Sequence, residues 1–403
     1  MARFFNRGIF IEALSALIID FLGLFAGRIA LLFSPFFQSS IWVLALYPPI
    51  LTIRGNIGGL YSGNMSTLLH IGEIEPRFKN NTKKFYSLLE SVFFLAFIDS
   101  FIISLLAYLL NYFWGNTDLS QLQYFIIVPP LTCLLGVSLA LPIATFVANE
   151  AFKRGANPDI LLYPVMSTLD DIIITISYVG VIYLIFISGG IIIMATILLL
   201  LFIFFTYTFS KNWKDEFFRR TLKEGIPSIL FSSILGILGG VGLSNLKEKI
   251  ENTPAILVLY PALIDTLGDL GSIVGSLETT NLALGYASKL SETLNRMFSD
   301  IISIASASII IHFFLGIATY FICLMTGLAV DPIVIIRVAL FSNIISFSLI
   351  SVLSLLVATQ TFKYGLDPDN FIIPLIFIIP LIASSSDLLA TLTLLLPFIM
   401  PNL

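Results

Sequence analysis

The stretch ALYPPILTIRGNIGG, residues 45–59, lies inside an apolar segment long enough to cross a membrane. It nevertheless carries two prolines, an arginine, an asparagine and three glycines. A second stretch, LVLYPALIDTLGDLGS, residues 257–272, repeats the pattern. Tyr47-Pro48 matches Tyr260-Pro261 at an offset of 213, and the same offset pairs Gly55-Asn56 with Gly268-Asp269, Gly58 with Gly271 and Gly72 with Gly285. One such interruption would be a kink. Two at a fixed spacing point to a duplicated functional element.

The surrounding sequence sets the class. Of 403 residues, 57% are hydrophobic and 11% charged, against roughly 25% charged in a soluble domain. Segments of 20 or more apolar residues, each able to span a hydrocarbon core of about 30 Å, predict an all-α polytopic protein of the cell membrane. The alternating segments of about 10 residues that mark a β-barrel are absent. Hydropathy with Gly, Pro and charge punctuation predicts eleven spans. They run 9–33, 41–69, 85–113, 123–149, 160–186, 189–209, 225–243, 255–287, 297–326, 332–360 and 371–399. The run 9–33 is too long for a signal-peptide core and lacks a small-residue cleavage site, so it reads as a retained helix. Short loops leave no room for a soluble domain, and nothing calls for a nucleic-acid partner.

Loop charges predict the orientation. With the N-terminus inside, 16 Lys and Arg fall in inside segments, and only Lys247 and Lys249 fall outside. This bias predicts N-in, C-out and an odd number of spans. Arg28, Arg54 and Arg337 fall within spans.

A second pair of stretches completes the repeat. KRGANPDILLYPVMSTLDDI starts at Lys153, and KYGLDPDNFIIPLIFIIPLIASSSDLL starts at Lys363. Their Lys-x-Gly-x-(Asn/Asp)-Pro-Asp parts align at an offset of 210, and their closing Asp171 and Asp387 at 216. The chain therefore reads as two five-helix repeats, 9–186 and 225–400, joined by a linker helix and loop over 187–224. Five is odd, so the linker span restores the orientation and the repeats run parallel, related by an axis along the membrane normal.

Asn56, Asp269, Asp171 and Asp387 each fall about 11 to 16 residues into a span, near the midplane at about 1.5 Å per residue. Charged groups at that depth are costly and are functional candidates. Parallel symmetry would turn the two sets toward the axis. Pro48, Gly55 and Gly58, with Pro261, Gly268 and Gly271, loosen the helix backbone beside them. Such loosening survives only where the backbone is buried or lines a cavity. Freed carbonyls and carboxylates suit a hard cation, and Mg²⁺ typically keeps several waters around one or two carboxylates. With no Cys or Met cluster and no His pair, Mg²⁺ or Ca²⁺ fits better than Zn²⁺ or Cu. Cys133 and Cys323 read as packing residues. Asp170, Glu278 and Asn64 extend the candidate metal set, the last two as an inner vestibule. Arg54 is expected to pair with a carboxylate such as Asp170.

These residues resemble the MgtE-type Mg²⁺ transporters in their tandem form, solute carrier family 41. The resemblance rests on the Pro…Gly-Asn and Pro…Gly-Asp steps at 48–56 and 261–269. With them go Asn157-Pro158-Asp159…Pro164…Asp171 and Asp367-Pro368-Asp369-Asn370…Pro380…Asp387. It implies a pore between the second and fifth helices of each unit, with Asp171 and Asp387 at the cation. Asp170 and Ser386 stand where the family usually has Gly, and no cytosolic sensor domain is expected. The leading expectation is a Mg²⁺ transporter or channel, functional as a monomer, with Na⁺ a candidate coupling ion. The alternatives are a carrier of Mn²⁺, Co²⁺ or Ca²⁺, or a membrane scaffold that transports nothing. An intramembrane enzyme would need a nucleophile–base pair or a motif such as His-Glu-x-x-His, and the chain has neither.

Overall fold

The computed structural model describes residues 5–154, 158–223, 225–226, 237, 241, 255–283 and 290–363. Every regular element among them is helical: α1 Arg7–Leu17, α2 Gly23–Leu32, α3 Ser34–Ser39, α4 Ile41–His70, α5 Lys83–Phe113, α6 Leu122–Lys153, α7 Pro158–Phe186, α8 Gly190–Asn212, α9 Ala255–Ala283, α10 Leu290–Met325 and α11 Pro332–Lys363. Residues 216–223 are also helical, and a 3₁₀ turn, Ile19–Leu22, joins α1 to α2. Eight of the described stretches, α1–α2 counted as one, are long and apolar enough to cross a membrane. The helix α4 is 30 residues long but dilutes its apolar content with Arg54, Asn56, glycines and prolines. The chain is a multi-pass integral membrane protein.

Local sequence sets the ends. Asn6 caps α1, its Oδ1 accepting from the Gly8 and Ile9 amides. Gly72, Gly115 and Gly327 follow the ends of α4, α5 and α10 at positive φ, the left-handed stop that glycine adopts without a Cβ penalty. The sequence-read spans agree with α4 through α11 to within a few residues, except at the N-terminus of α10. The spans expected at 225–243 and 371–399 fall largely or wholly outside the described residues.

The chain divides into two compact units. One comprises residues 35–245 and holds α4–α8. Here α4 packs on α5, α6 and α7, α6 packs between α5 and α7, and α8 lies against α5, α6 and α7. Much of α8 is exposed, including Ile192, Leu199, Phe202 and Ile203, while Met194, Leu198 and Phe205 are buried. In a chain of this composition an exposed apolar surface is lipid-facing. Stacking of Phe205 on Phe97 and of Phe209 on Phe94 joins α8 to α5.

The other unit comprises residues 1–34 and 246–403. Its described core is α9 against α10 and α11, with α1 and α2 laid on α9 and α10. The first span thus packs on helices of the second sequence copy. Asn6 ties its start to α10, donating from its backbone amide to Ser303 Oγ at 2.7 Å and from its side chain to Asp300 at 2.9 Å.

The Pro and Gly positions at 48–59 and 261–271 lie inside α4 and α9, which each run unbroken through them. A proline removes one donor, leaving the carbonyl four residues earlier, Leu44 for Pro48 and Ala45 for Pro49, without its helical partner. One residue before them, the Val43 carbonyl accepts from the Tyr178 hydroxyl of α7 at 2.6 Å. A change of helical geometry also lies in the first span, at the 3₁₀ turn Ile19–Leu22.

Candidate functional site

The first candidate site is built on α4 and α7, which pack antiparallel. Tyr178 reaches Val43, and the Tyr47 hydroxyl hydrogen-bonds the Thr175 hydroxyl at 3.0 Å. Phe37, Tyr47 and Tyr178 form one aromatic cluster behind them. On the other side, the Tyr61 hydroxyl meets Thr145 of α6 at 2.5 Å. Interhelical hydrogen bonds in membranes are worth about 0.6 kcal/mol each, so these contacts set register more than stability. The register places Arg54 against Asp171, and the two form a salt bridge. Both are buried, Asp171 at 0% and Arg54 at 9% side-chain exposure. Each lies midway along its helix, Arg54 fourteenth of 30 residues and Asp171 fourteenth of 29.

Asp170 and Asn56, on the same two helices, are also buried. Gly58 makes room for Asp170: a Cβ at residue 58 would lie 2.8 Å from Asp170 Oδ2. Arg54, Gly58, Tyr61, Asp170 and Cys133 line a cleft among α4, α6 and α7. The guanidinium is therefore a tethered cation paired with Asp171, with Asp170 lining the same cleft.

The second candidate site lies on α2 and α9. Gly23 and Gly27, one turn apart, let α2 approach α9 at backbone distance. A Cβ on Gly23 would lie 3.1 Å from Ala262 Cα, and one on Gly27 would overlap the Val258 backbone. This is the small-xxx-small mode of packing in lipid. The antiparallel register 27 to 258 and 23 to 262 carries the 3₁₀ turn Ile19–Leu22 to residues 263–266, with Asp20 level with Asp265 and Asp269 one turn further along α9. Asp20 lies in that turn, fully buried. Its carboxyl abuts Asp269 and Thr266, with Asp265 in Coulomb range. The Thr266 hydroxyl donates to its own helix at Ala262, and neither Asp20 oxygen receives a hydrogen bond.

The candidate residues therefore fall in two places. Asn56, Gly55, Gly58, Pro48, Asp170 and Asp171 gather on α4 and α7. Asp269, Pro261, Gly268, Gly271 and Glu278 lie along α9, and Glu278 is fully buried. Asn64 is half-buried and donates to the Leu60 carbonyl of its own helix at 2.9 Å. Asp387 and the repeat match at Gly285 lie outside the described residues. Asp20 was not among the candidates read from the sequence. The signal that finds it is the Gly23-x-x-x-Gly27 step three residues downstream.

Seven acidic side chains are buried among the described residues: Asp20, Asp99, Asp170, Asp171, Asp265, Asp269 and Glu278. Arg54 is the one buried Lys or Arg among them. Charge of one sign in a low-dielectric interior is costly unless it is neutralised. No group of three His, Cys, Asp or Glu among the described residues is arranged to hold a metal ion. Carboxylate pairs with water suit the sparse protein coordination of Mg²⁺.

Comparison with known proteins gives the family context. Two segments, 47–181 and 260–396, match MgtE, a family described as divalent cation transporters. They begin at Tyr47 and Tyr260, the two Tyr-Pro steps. Solute carrier family 41 member 3 of Mus musculus is 24% identical over 362 residues, covering 84% of this chain and 72% of that protein. The Rattus norvegicus protein of the same name is 24% identical over 389 residues, covering 91% and 81%. No solved structure gives a significant match.

Proposed function

The chain belongs to the MgtE family of divalent cation transporters, and on that premise we propose that it moves Mg²⁺ across a membrane through sites built from its buried aspartates. The family is one of transporters rather than enzymes. The observation that carries the proposal is the density of buried acids: seven Asp and Glu side chains are buried among the described residues, Asp170 and Asp171 on α7 and Asp265 and Asp269 on α9 among them. Buried carboxylates favour a cation, and a hard divalent ion suits an all-oxygen donor set.

In this reading Asp171, Asp170 and Asn56 form the α4–α7 site, with Arg54 holding Asp171 when no metal ion is engaged. A Mg²⁺ ion entering there competes with the guanidinium for the carboxylate, so binding and release of Arg54 are linked. Asp269 serves the second copy, joined by Asp387 on the strength of the sequence repeat. The repeat also supports a shared midplane path and function as a monomer, since one chain carries both copies. Exchange of Na⁺ for Mg²⁺ is the coupling this proposal favours, because acidic sites accept either ion.

The test is ⁠Mg²⁺ uptake by proteoliposomes holding the purified chain, with and without an opposing Na⁺ gradient. Uptake driven by the Na⁺ gradient supports exchange, and uptake indifferent to Na⁺ supports a channel. Uptake of Mn²⁺, Co²⁺ or Ca²⁺ that Mg²⁺ fails to inhibit would replace Mg²⁺ as the substrate. No uptake of any divalent ion by folded protein would leave the scaffold reading.

A further inference from the structure

We propose that Asp20 and Asp269 together bind a hard divalent cation, with Asp265 supplying adjacent negative charge. The ion's class rests on the transport reading above, whereas the site itself rests on packing. The glycines at 23 and 27 seat α2 on α9 at backbone contact. That seating holds the 3₁₀ turn against the turn of α9 that carries Asp265, Thr266 and Asp269. The two carboxyls meet in the interior of one unit, Asp20 at 0% and Asp269 at 6% exposure.

Neither oxygen of Asp20 accepts a hydrogen bond. A packing role would be served better by a neutral residue, since a buried carboxylate without donors is strongly disfavoured. A second carboxylate beside it compounds the cost. A divalent cation removes both penalties at once, and two carboxylates plus water or carbonyls form a familiar Mg²⁺ environment. The 3₁₀ turn at Ile19–Leu22 places this residue at an interruption of the span. Membrane transporters place coupling-ion sites at discontinuous helices. Asp20 is the fourteenth of 26 residues in its span, and Asp269 the fifteenth of 29 in α9. The site is thus midway along both helices.

The experiment counts bound Mn²⁺, a spectroscopic stand-in for Mg²⁺, by electron paramagnetic resonance on the full chain in nanodiscs. Wild type is compared with Asp20→Asn, Asp269→Asn, Asp20→Glu and, as a control outside both sites, the exposed Asp331→Asn at the start of α11. The expected result is one bound Mn²⁺ fewer in Asp20→Asn and in Asp269→Asn, with the count kept in Asp20→Glu and Asp331→Asn. Mg²⁺ should displace the counted ion. In chelator, Asp20→Asn should melt no lower than wild type, because it relieves repulsion rather than removing a bond.

Equal counts in all variants overturn the site. So does Na⁺ displacing Mn²⁺ as effectively as Mg²⁺ at equal concentration, which would make the site monovalent. Should Asp20→Asn fail to fold, Asp269→Asn carries the test. Binding is read without flux, so the two proposals fail separately. Asp20-dependent binding with no liposome uptake sinks transport and keeps the site. Uptake with unchanged binding in Asp20→Asn sinks the site and keeps transport.

Discussion

Replacing Arg54 by leucine should leave Asp171 as a buried carboxylate with its salt bridge removed. Asp171 is fully buried and Arg54 nearly so, so solvent screens the pair little. Removing one partner of such a pair costs roughly 3–5 kcal/mol, a large part of a total stability of about 5–15 kcal/mol. Asp171→Asn in the Arg54→Leu background should recover most of that loss, because the cost lies in the uncompensated charge. The assay is equilibrium unfolding by graded detergent in bicelles, for wild type, both single variants and the double variant. Adding Mg²⁺ should restabilise Arg54→Leu, with the metal ion replacing the guanidinium, and should do less for the double variant. Additive single effects, or a cost below about 1 kcal/mol for Arg54→Leu, would refute the coupling on which the tethered-cation argument depends.

Three further expectations concern packing, pH and orientation. Gly27→Leu forces a side chain into the Val258 backbone. It should destabilise by at least the roughly 1–3 kcal/mol of overpacking and abolish Asp20-dependent Mn²⁺ binding; retention of that binding would contradict the docking. Asp215 lies outside the spans, bonded to Lys83 Nζ at 2.7 Å and accepting from the Phe218 amide at 3.1 Å. The Lys83 contact, aided by the Phe218 amide, holds its carboxyl below the usual carboxylate range. Its contribution is therefore present above the unfolded value of about 3.9 and lost as pH falls through the lower folded value. Asp215→Asn should be less stable than wild type at neutral pH and converge with it in acid; a constant difference in acid melts would contradict this. With the N-terminus inside, an impermeant thiol reagent applied to intact cells should label Asn116→Cys and spare Lys79→Cys; the reverse pattern would invert the topology.

Much of the fold was legible because lipid imposes a simple rule: long apolar runs become helices. The spans read at 41–69 and 332–360 are found as Ile41–His70 and Pro332–Lys363. Packing partners were harder to read. Repeat order puts the first span with the first copy, yet it packs on α9 and α10, a choice made by Gly23 and Gly27 finding Ala262 and Val258. The partner of Arg54 turned on adjacent residues. Asp170 and Asp171 point about 100° apart on a helix, and the register set by Tyr47 and Tyr178 brings Asp171 to Arg54. Interhelical donors such as Tyr178, which bonds the Val43 carbonyl, depend on tertiary packing and leave no local trace. Asp20 has no acidic counterpart at the 213 offset, where Ser233 stands.

The most direct test of the account is Mg²⁺ flux into proteoliposomes, comparing wild type, Asp171→Asn and the double variant Arg54→Leu/Asp171→Asn at equal amounts of folded protein. The account predicts flux in wild type and at least a tenfold loss in both variants, about 1.4 kcal/mol or more at the barrier. Wild-type flux preserved in both variants would contradict a role for Asp171 in cation passage.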